Sequence, residues 1–466
     1  MHAGECHPED YRLLARKAIK GARESFLLAP SIAQHMEELY YLPWRKWAIV
    51  AATVLVATWS SSTQDSSWKT QVLAESPNAP KQRVLTPDVA AIGNSVLVSY
   101  IKQRATLDEV CLAISKDSAT SWTIECFQEP AQAISTHIAA YSLEGKGARI
   151  CVGWLRLENA IPAVYHRCAD ILDDIMWFSN AVRLSTAGVP AGQHRLLHGD
   201  FQGDWTGNLD NAVSVDGVFY AAWSENYNTL KAARSVDGVT WEACGDIAGQ
   251  SGFDVRFPTI YADEKGRVYL GAAQAIKASD IQVWVSYDQC ATWHGPVNIT
   301  NNSGFSDAAE FAVLKDTFYS VNDDSTTNPE GFDLILSACE IAPKGLTNCQ
   351  ETRVISKDTS WARLKTDGKG LHVVGSLQGE DLILYCYSAD ESSTWVRDFI
   401  PDSRPSYIVI NDRDFGVIIS KNNIAVGGGG QIYVVWSTFQ SGKSKIMLSV
   451  RTELPIGQAA PMCAAP

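Results

Sequence analysis

The chain has 466 residues, of which 46% are hydrophobic and 20% charged, a composition typical of a globular protein with a sizeable core. The formal net charge of −13 makes nucleic acid and an anionic membrane surface poor partners for the folded domain. The sequence contains no Cys-x-x-Cys pair or Cys/His cluster of the kind that binds zinc, so we predict neither a metal nor a cofactor.

The first 59 residues differ from the rest of the chain. Positions 10–40 follow a weak helical pattern, with apolar residues among mixed charges. The basic pair Arg45-Lys46 then precedes an uncharged run whose apolar part, Trp47 to Trp59, is 13 residues long. This length suits a signal sequence and is short for a full membrane span.

We therefore predict that residues 1–59 are a leader containing an export signal or a single membrane anchor. Any membrane attachment would use residues 45–64, and the domain at 60–466 would lie outside the cytoplasm. The alternative is a buried helix that packs on the main domain, and the length of chain before the apolar run favours it.

Cysteine usage bears on the same question. Only Cys6 precedes the apolar run, which leaves an even number, ten, in the exported part. Three pairs are spaced so that they can face each other across a hairpin and form disulfides: Cys111 with Cys126, Cys151 with Cys168, and Cys339 with Cys349. The alternative is that they are small buried side chains in a reducing compartment.

Four stretches share one pattern, which we call the Ser-x-Asp turn. Each begins with Ser-x-Asp, ends with Ser/Thr-Trp and follows a β-rich run; they are Ser115–Trp122, Ser235–Trp241, Ser286–Trp293 and Ser388–Trp395. The Ser and Asp side chains can bond the turn backbone, and the Trp can cover it as an apolar plug. These aspartates are therefore predicted to be structural.

The turns belong to a longer repeat. Equivalent positions without a clear Ser-x-Asp turn begin at 168, 337 and 449, which gives seven units, and three successive intervals are 51 residues. Short β runs with a period near 50 are what a four-stranded propeller blade requires. The fold predicted is all-β: a seven-bladed β-propeller with each turn between the two outer strands of a blade.

Ring closure gives a sharper expectation. The last unit ends without a Trp-bearing outer strand, whereas Trp68 to Leu73 looks like the outer strand that follows such a turn. We predict that residues 66–74 pair with the strand at 445–450 and complete the seventh blade, which would remove an exposed edge.

The Ser-x-Asp turns resemble the Asp-box, or bacterial neuraminidase repeat, of the sialidase superfamily. The resemblance implies a glycan partner and a site built from an arginine cluster, an acid, and a tyrosine activated by a glutamate. Arg83, Arg104 and Asp108 precede the first turn in the order that sialidases show, and Arg256-Phe257-Pro258 gives a closer Arg-x-Pro match.

Glu225 ends an inner strand and Arg234 precedes the next turn, similar to the middle-blade Glu and Arg of the family. The resemblance thus implies the catalytic residues Asp108, Glu225 and Tyr407 and the substrate-binding residues Arg83, Arg104, Arg256 and Arg234. An arginine before a strand is more often a solvated edge residue than a ligand.

The segment His198 to Asn208 is distinctive, because its Gly-Asp-aromatic-x-Gly pattern looks like one in exported sialidase-like proteins. Asp200 and Trp205 lie on this predicted glycine-hinged loop and are candidates to bind a sugar or a cation. The alternative is a tight turn that leads into an inner strand.

Two classes of function follow from these patterns. The first is an exported glycoside hydrolase of sialidase type, acting on glycans as an exo-α-sialidase, and the second is a non-catalytic propeller that binds glycans or protein. A propeller polysaccharide lyase using the histidines of the second and third units is a weaker reading; they are His137, His166, His194 and His198.

Overall fold

The structure is a computed structural model of the chain. It describes residues 67–463 apart from 78–81, 105, 144–146, 159–160, 173–174, 187–191, 197–198, 205–208, 226–228, 248–254, 276–278, 329–330, 378–381, 406–421, 441 and 456–458. The predicted leader, 1–59, lies outside this part. Across the described residues the secondary structure is β throughout, and none of them forms a helix long and apolar enough to span a bilayer.

The described residues form 31 strands. The first is β1 (Trp68–Ser76). Blade 1 contains β2 (Arg83–Ile92), β3 (Ser95–Gln103), β4 (Glu109–Ser115) and β5 (Thr123–Gln128). Blade 2 contains β6 (Ala133–Leu143), β7 (Gly147–Glu158), β8 (Ile161–Leu172), β9 (Ile175–Phe178) and β10 (Val182–Arg183). A separate hairpin follows, made of β11 (Gly192–Leu196) and β12 (Gly199–Asp204).

Blades 3 to 5 have the same plan. Blade 3 contains β13 (Leu209–Val213), β14 (Phe219–Glu225), β15 (Thr229–Ser235) and β16 (Glu242–Ala243). Blade 4 contains β17 (Val255–Ala262), β18 (Val268–Ala275), β19 (Ser279–Ser286) and β20 (His294–Asn298). Blade 5 contains β21 (Ser306–Leu314), β22 (Thr317–Asp324), β23 (Asp333–Ala342) and β24 (Gly345–Ser356).

Blade 6 contains β25 (Thr359–Thr366), β26 (Leu371–Leu377), β27 (Leu382–Ser388) and β28 (Val396–Ile400). Blade 7 combines β29 (Asn423–Val426), β30 (Ile432–Gln440) and β31 (Lys443–Arg451) with β1. Every strand pair is antiparallel, and the first strand of each blade contacts the first strand of the next, including β29 with β2. The sheets therefore form a closed ring of seven blades, as predicted.

The ring is closed by β1. Trp68 pairs with Arg451 and Ser76 with Ser444, so the first described strand is the outer strand of the last blade. The indole nitrogen of Trp68 also donates a hydrogen bond to Asp398 of blade 6, with the two atoms 3.0 Å apart. The predicted pairing of 66–74 with 445–450 is confirmed, and β31 has no free edge.

The hydrophobic core is divided among the interfaces between blades. Each of the seven interfaces has its own cluster of buried apolar side chains. Between blades 4 and 5, for example, the rings of Tyr269 and Phe318 lie 5.1 Å apart. Alternating strand residues supply one face to each neighbour, because successive side chains of a strand point to opposite sides.

The four Ser-x-Asp turns stand at the outer rim, between the third and fourth strands of blades 1, 3, 4 and 6. In blade 4 the Ser286 hydroxyl accepts the backbone N–H of Cys290 at 2.8 Å. Asp288 accepts the backbone N–H and the hydroxyl of Thr292 at 2.8 and 2.7 Å. The predicted bonding of the turn by its own side chains is confirmed.

Blades 2 and 5 lack this turn, and their third strands run longer than the sequence pattern indicated. The units were predicted to turn at 168 and 337, but β8 continues to Leu172 and β23 to Ala342. Without an aspartate that collects the turn N–H groups, the strands stay paired and close through a shorter hairpin.

Five disulfides link strands and segments of the described ring. The three predicted pairs are present, each joining neighbouring strands of one blade: Cys111–Cys126, Cys151–Cys168 and Cys339–Cys349. Two more join different parts of the ring. Cys244–Cys290 connects blade 3 to the turn of blade 4, and Cys386–Cys463 fixes the chain after β31 to blade 6.

Candidate functional site

The hub is the space enclosed by the seven first strands. Five of these strands contain a β-bulge at the same level, in β2, β6, β17, β21 and β25. In four of them a non-glycine residue at the bulge has a left-handed backbone: Thr86, Phe257, Ala308 and Trp361, with φ of 47° to 58°. This conformation costs free energy, so its repetition shows that the bulge is imposed by the fold.

A narrow cavity of about 10 Å³ lies in the hub at the level of the bulges. It is lined by His137, Leu209, Asp210, Phe257, Pro258, Thr259, Ala308, Ala309, Glu310 and Arg363. That volume has room for about one water molecule and no sugar ring. A glycan at this site must therefore lie over the opening of the hub.

The pair His137 and Asp210 joins blades 2 and 3 at the cavity. His137 Nδ1 lies 3.5 Å from Asp210 Oδ1. The histidine side chain is buried, whereas 20% of the surface of the Asp210 side chain is exposed. Burial raises the pKa of Asp210, but the hydrogen bond and charge of His137 and the N–H of Ile260 outweigh it, so the net pKa lies below the usual value. Asp210 thus stays ionised and orients the imidazole.

The second pair is Glu310 and Arg363, from blades 5 and 6. Arg363 Nη1 donates to Glu310 Oε1, and Arg363 Nε donates to Asn423 Oδ1 at 2.5 Å. Asn423 in turn donates to the carbonyl of Pro87 at 3.0 Å. This network joins blades 5, 6, 7 and 1. It contains one cation, Arg363, and one anion, Glu310, so the charge of the guanidinium is balanced.

Asp88 and Asp210 play the same structural role in their blades. Asp88 Oδ2 accepts the backbone N–H of Ile138 at 2.8 Å, and Asp210 Oδ2 accepts that of Ile260 at 2.9 Å. Each carboxylate therefore ties its first strand to the first strand of the next blade.

The residues that line the cavity lie near the starts of the first strands, at the face that also carries the loops between second and third strands, which we call the loop face. Asp108, the predicted acid, lies on it. Its two carboxylate oxygens accept the N–H groups of Arg104 at 3.2 Å and Ala133 at 2.9 Å. Burial nevertheless raises the pKa of Asp108 to about 6, despite these hydrogen bonds. A carboxyl group of this pKa can carry a proton near neutral pH.

Glu225, the other predicted carboxylate, is buried at the end of β14. Its Oε1 accepts the backbone N–H of Thr186 at 2.8 Å and the indole N–H of Trp223 at 3.0 Å. These contacts fasten the connection from blade 2 to the second strand of blade 3. Asp108 and Glu225 belong to blades 1 and 3.

The predicted arginines are spread over the ring. Arg83 opens β2 opposite Gln103, and Arg256 is buried in β17 next to the bulge residue Phe257 of the hub cavity. Arg104 is half-exposed, with its guanidinium 2.7 Å from Glu109. Arg234 binds the carbonyl of Gln289 at 3.2 Å and thus lies at the rim. The structure places Arg256 in a first strand, next to a residue that lines the cavity, and Arg104, Arg234 and Arg256 are not among the lining residues.

Two predicted residues, Tyr407 and Trp205, lie outside the described residues. Asp200 lies in β12, where it pairs with Arg195 of β11. The predicted loop at 198–208 is therefore in part a hairpin, and the substrate roles of all these residues stay predictions.

A polar cluster that the sequence did not indicate lies at the boundary of blades 1 and 2, on the loop face. The Arg156 guanidinium stacks over the Tyr165 ring at 3.6 Å and bonds Glu129 at 2.5 Å, and the Tyr165 hydroxyl donates to Glu158. Burial and the bond to Glu158 raise the pKa of Tyr165, against the opposing charge of Arg156. The tyrosine is thus held neutral here.

Of the ionisable residues that line the hub cavity, only His137 was named from the sequence, as one of the histidines of the lyase alternative. His137, Asp210, Glu310 and Arg363 differ in type, so they form no motif, although each follows the start of a first strand. The available signal was positional: a polar or ionisable residue at the second or fifth position of the first β run of a unit.

The ring and its polar hub define the class of this protein as a seven-bladed β-propeller, and several solved structures are similar to the chain. The polysaccharide lyase Uly1 matches with a TM-score of 0.52 at 9% identity, over 82% of this chain and 100% of that one. An α-L-arabinanase of Penicillium chrysogenum gives 0.45 at 13% identity over 82% and 98%, and a Trypanosoma rangeli sialidase 0.41 at 10% over 82% and 58%. No protein-family model and no curated protein matches the chain.

Proposed function

We propose that this protein is an extracytoplasmic propeller that acts on glycans at the loop-face opening of the hub. One observation carries the proposal: the His137–Asp210 pair borders a cavity with room for about one water molecule. Glycoside hydrolysis needs a group that exchanges a proton and a water molecule positioned next to the sugar.

The roles follow from the contacts. Asp210 holds the imidazole of His137, which accepts a proton from water in the cavity while the sugar lies above it. Asp108, with its pKa raised to about 6, is the candidate acid for the leaving oxygen. The five disulfides support folding in an oxidising compartment, in keeping with an export signal or anchor in the leader.

Within this class, an exo-α-sialidase is the finer candidate. A sialic acid carries a carboxylate, which an arginine can bind through two parallel hydrogen bonds. Arg256, buried beside the cavity-lining Phe257, is the best placed of the predicted arginines. Arg363 lines the cavity itself and is bonded to Glu310.

The alternative is a non-catalytic propeller that binds a glycan or a protein. A specific observation favours it: both oxygens of Asp108 accept backbone N–H groups, and Glu310 is paired with Arg363. Carboxylates used in this way hold the fold together.

A lyase reaction through the predicted histidines has less support. His166 is fully buried, and burial lowers its pKa to about 3, so it stays neutral and out of reach of a polymer. The likeness to the lyase Uly1, at 9% identity, shows the fold alone.

The test uses the full chain and a panel of fluorogenic glycosides that includes an α-sialoside and an α-L-arabinofuranoside. We expect release from one of them, with a rate that falls by about 100-fold or more in Asp210→Asn, because general acid–base groups contribute this much. Release from the sialoside would support the finer candidate. Binding to a glycan array without release from any glycoside would support the non-catalytic alternative and overturn the hydrolase.

A further inference from the structure

A much larger cavity lies away from the hub, on the outside of the ring between blades 1 and 2. We call it the rim groove. Its volume is about 600 Å³, and its lining residues are Ile114, Lys116, Ser121, Trp122, Thr123, Glu125, Ile171, Met176 and Phe178. This size lies within the range of pockets that hold small organic ligands.

The groove exists because blade 2 departs from the repeat. Blade 2 has no Ser-x-Asp turn, and its outer edge is divided between the short strands β9 and β10. Asp170, which stands where a turn was predicted, instead forms a two-bonded ion pair with Arg149 at 2.6 and 2.9 Å. The divided edge leaves open space beside Trp122 and Thr123 of blade 1.

The lining combines apolar and polar groups. Ile114 and Ile171 are buried and form an apolar base. Phe178 is a fixed aromatic wall, because its ring lies 5.7 Å from that of Phe127 and 4.9 Å from the guanidinium of Arg167. Lys116 and Glu125 supply a donor and an acceptor of opposite charge.

We propose that the rim groove is a sugar-binding site separate from the hub, which holds one or two sugar units of a glycan. Sugar rings have an apolar C–H face that packs on aromatic side chains and a rim of hydroxyls that bonds charged and hydroxyl side chains. The groove offers both kinds of contact, and the hub cavity has no room for a ring. The choice of a glycan as the ligand class rests on the proposed function.

A purely apolar partner fits the same groove less well. Covering Lys116 and Glu125 with apolar surface would remove water from two charges without replacing its hydrogen bonds, which is costly. Sugar hydroxyls replace those hydrogen bonds.

The experiment probes an array of defined neutral and acidic oligosaccharides with the full chain. Met176→Arg places a long charged side chain in the groove, and Met176 is only partly buried, so the fold should tolerate it. Val236→Arg is the matched control, since Val236 is exposed, at 66%, in the Ser-x-Asp turn of blade 3. Asp210→Asn tests whether the sugar binds at the hub instead. Equal melting temperatures verify that all variants fold.

We expect the wild type, Val236→Arg and Asp210→Asn to bind the same oligosaccharide, and Met176→Arg to lose at least tenfold of the affinity. Binding that Asp210→Asn removes and Met176→Arg leaves intact would place the sugar at the hub, which overturns the rim groove and keeps the proposed function. Absence of binding to any oligosaccharide would overturn the rim groove, while turnover of a glycoside would still support the hub. A third outcome is that the wild type binds a hydrophobic dye and no sugar, and that Met176→Arg abolishes the dye binding. This result would assign the groove to an apolar partner and overturn the proposal.

Discussion

The rim and the hub of this ring are stabilised in opposite ways. At the rim, each Ser-x-Asp turn satisfies itself with hydrogen bonds between residues two to four positions apart, as between Asp288 and Thr292. At the hub, the bonds join residues of different blades, such as Arg363 with Glu310, 53 positions apart, and with Asn423, 60 positions apart. The rim thus builds each blade locally, and the hub joins one blade to another.

The difference also concerns residue type. The rim turns repeat the same side chains in blades 1, 3, 4 and 6, whereas the first strands of blades 2, 3, 5 and 6 present four different side chains to the cavity: His137, Asp210, Glu310 and Arg363. A repeated rim with a varied hub is the arrangement expected when the repeat supplies the scaffold and the exceptions to it supply the chemistry.

The largest expected effect comes from breaking the hub network. Arg363→Met leaves Glu310 buried without its guanidinium, and removing one partner of a buried ion pair costs about 3 to 5 kcal/mol in unfolding free energy. The double variant Glu310→Gln/Arg363→Met should be more stable than Arg363→Met alone, because no charge is left unpaired. Denaturant unfolding measures both, and a single variant as stable as the wild type would contradict the account.

The second largest loss of stability should come from removing a disulfide. In the chain-entropy model, losing a disulfide that closes a long loop costs more than losing one that closes a short loop. Cys386 and Cys463 are 77 residues apart and Cys339 and Cys349 only 10, so replacing each pair by serine should cost about 4 and about 3 kcal/mol. Melting temperatures of the two double variants test this, and the reverse order would show that the staple across blades 6 and 7 adds little.

Loss of the hydrogen bonds of a single rim turn should lower the unfolding free energy by less. Asp288→Ala removes two hydrogen bonds to Thr292 in an exposed turn, at a cost of about 1 kcal/mol. Val239→Ala, in the turn of blade 3, changes an exposed side chain outside the bonding pattern and is the control. An unfolding free energy unchanged in Asp288→Ala would mean that the turn is held by its tryptophan alone.

The last prediction concerns the pH dependence of stability and not the stability at one pH. Burial raises the pKa of Asp323 to about 7, and the nearby Asp307 adds to this, although the N–H groups of Trp361 and Ala362 oppose it. Because its pKa is higher in the folded than in the unfolded state, this carboxyl group favours folding at low pH. That contribution is lost as the pH rises from about 4 to about 7.

Asp323→Asn should therefore flatten the fall in stability over this window, whatever its effect on absolute stability. Melting temperatures between pH 4 and 8 measure the slope. An unchanged slope would assign the titration to another group.

The sequence was sufficient for the fold because the features that define it are local and repeated. The turns at Ser115, Ser235, Ser286 and Ser388 each contain their own bonding partners, so their spacing gave the blades. The closing strand was predictable for the same reason, since Trp68 and the residues after it have the pattern of an outer strand.

The site was less predictable because its contacts are not local. Nothing near His137 in the chain indicates Asp210, which the ring brings to 3.5 Å from it. Asp108 was found through the resemblance, but its bond to Ala133 depends on how two blades meet. The rim groove arises from what blade 2 lacks, which a search for motifs does not detect.

The central claim is that chemistry resides in the hub and structure in the rim. The most direct measurement is kcat/KM of His137→Gln and Asp288→Ala on the glycoside that the wild type cleaves, at a temperature where both variants are folded. The account predicts a loss of about 100-fold or more for His137→Gln and no change for Asp288→Ala. Equal activity of the two variants would contradict it.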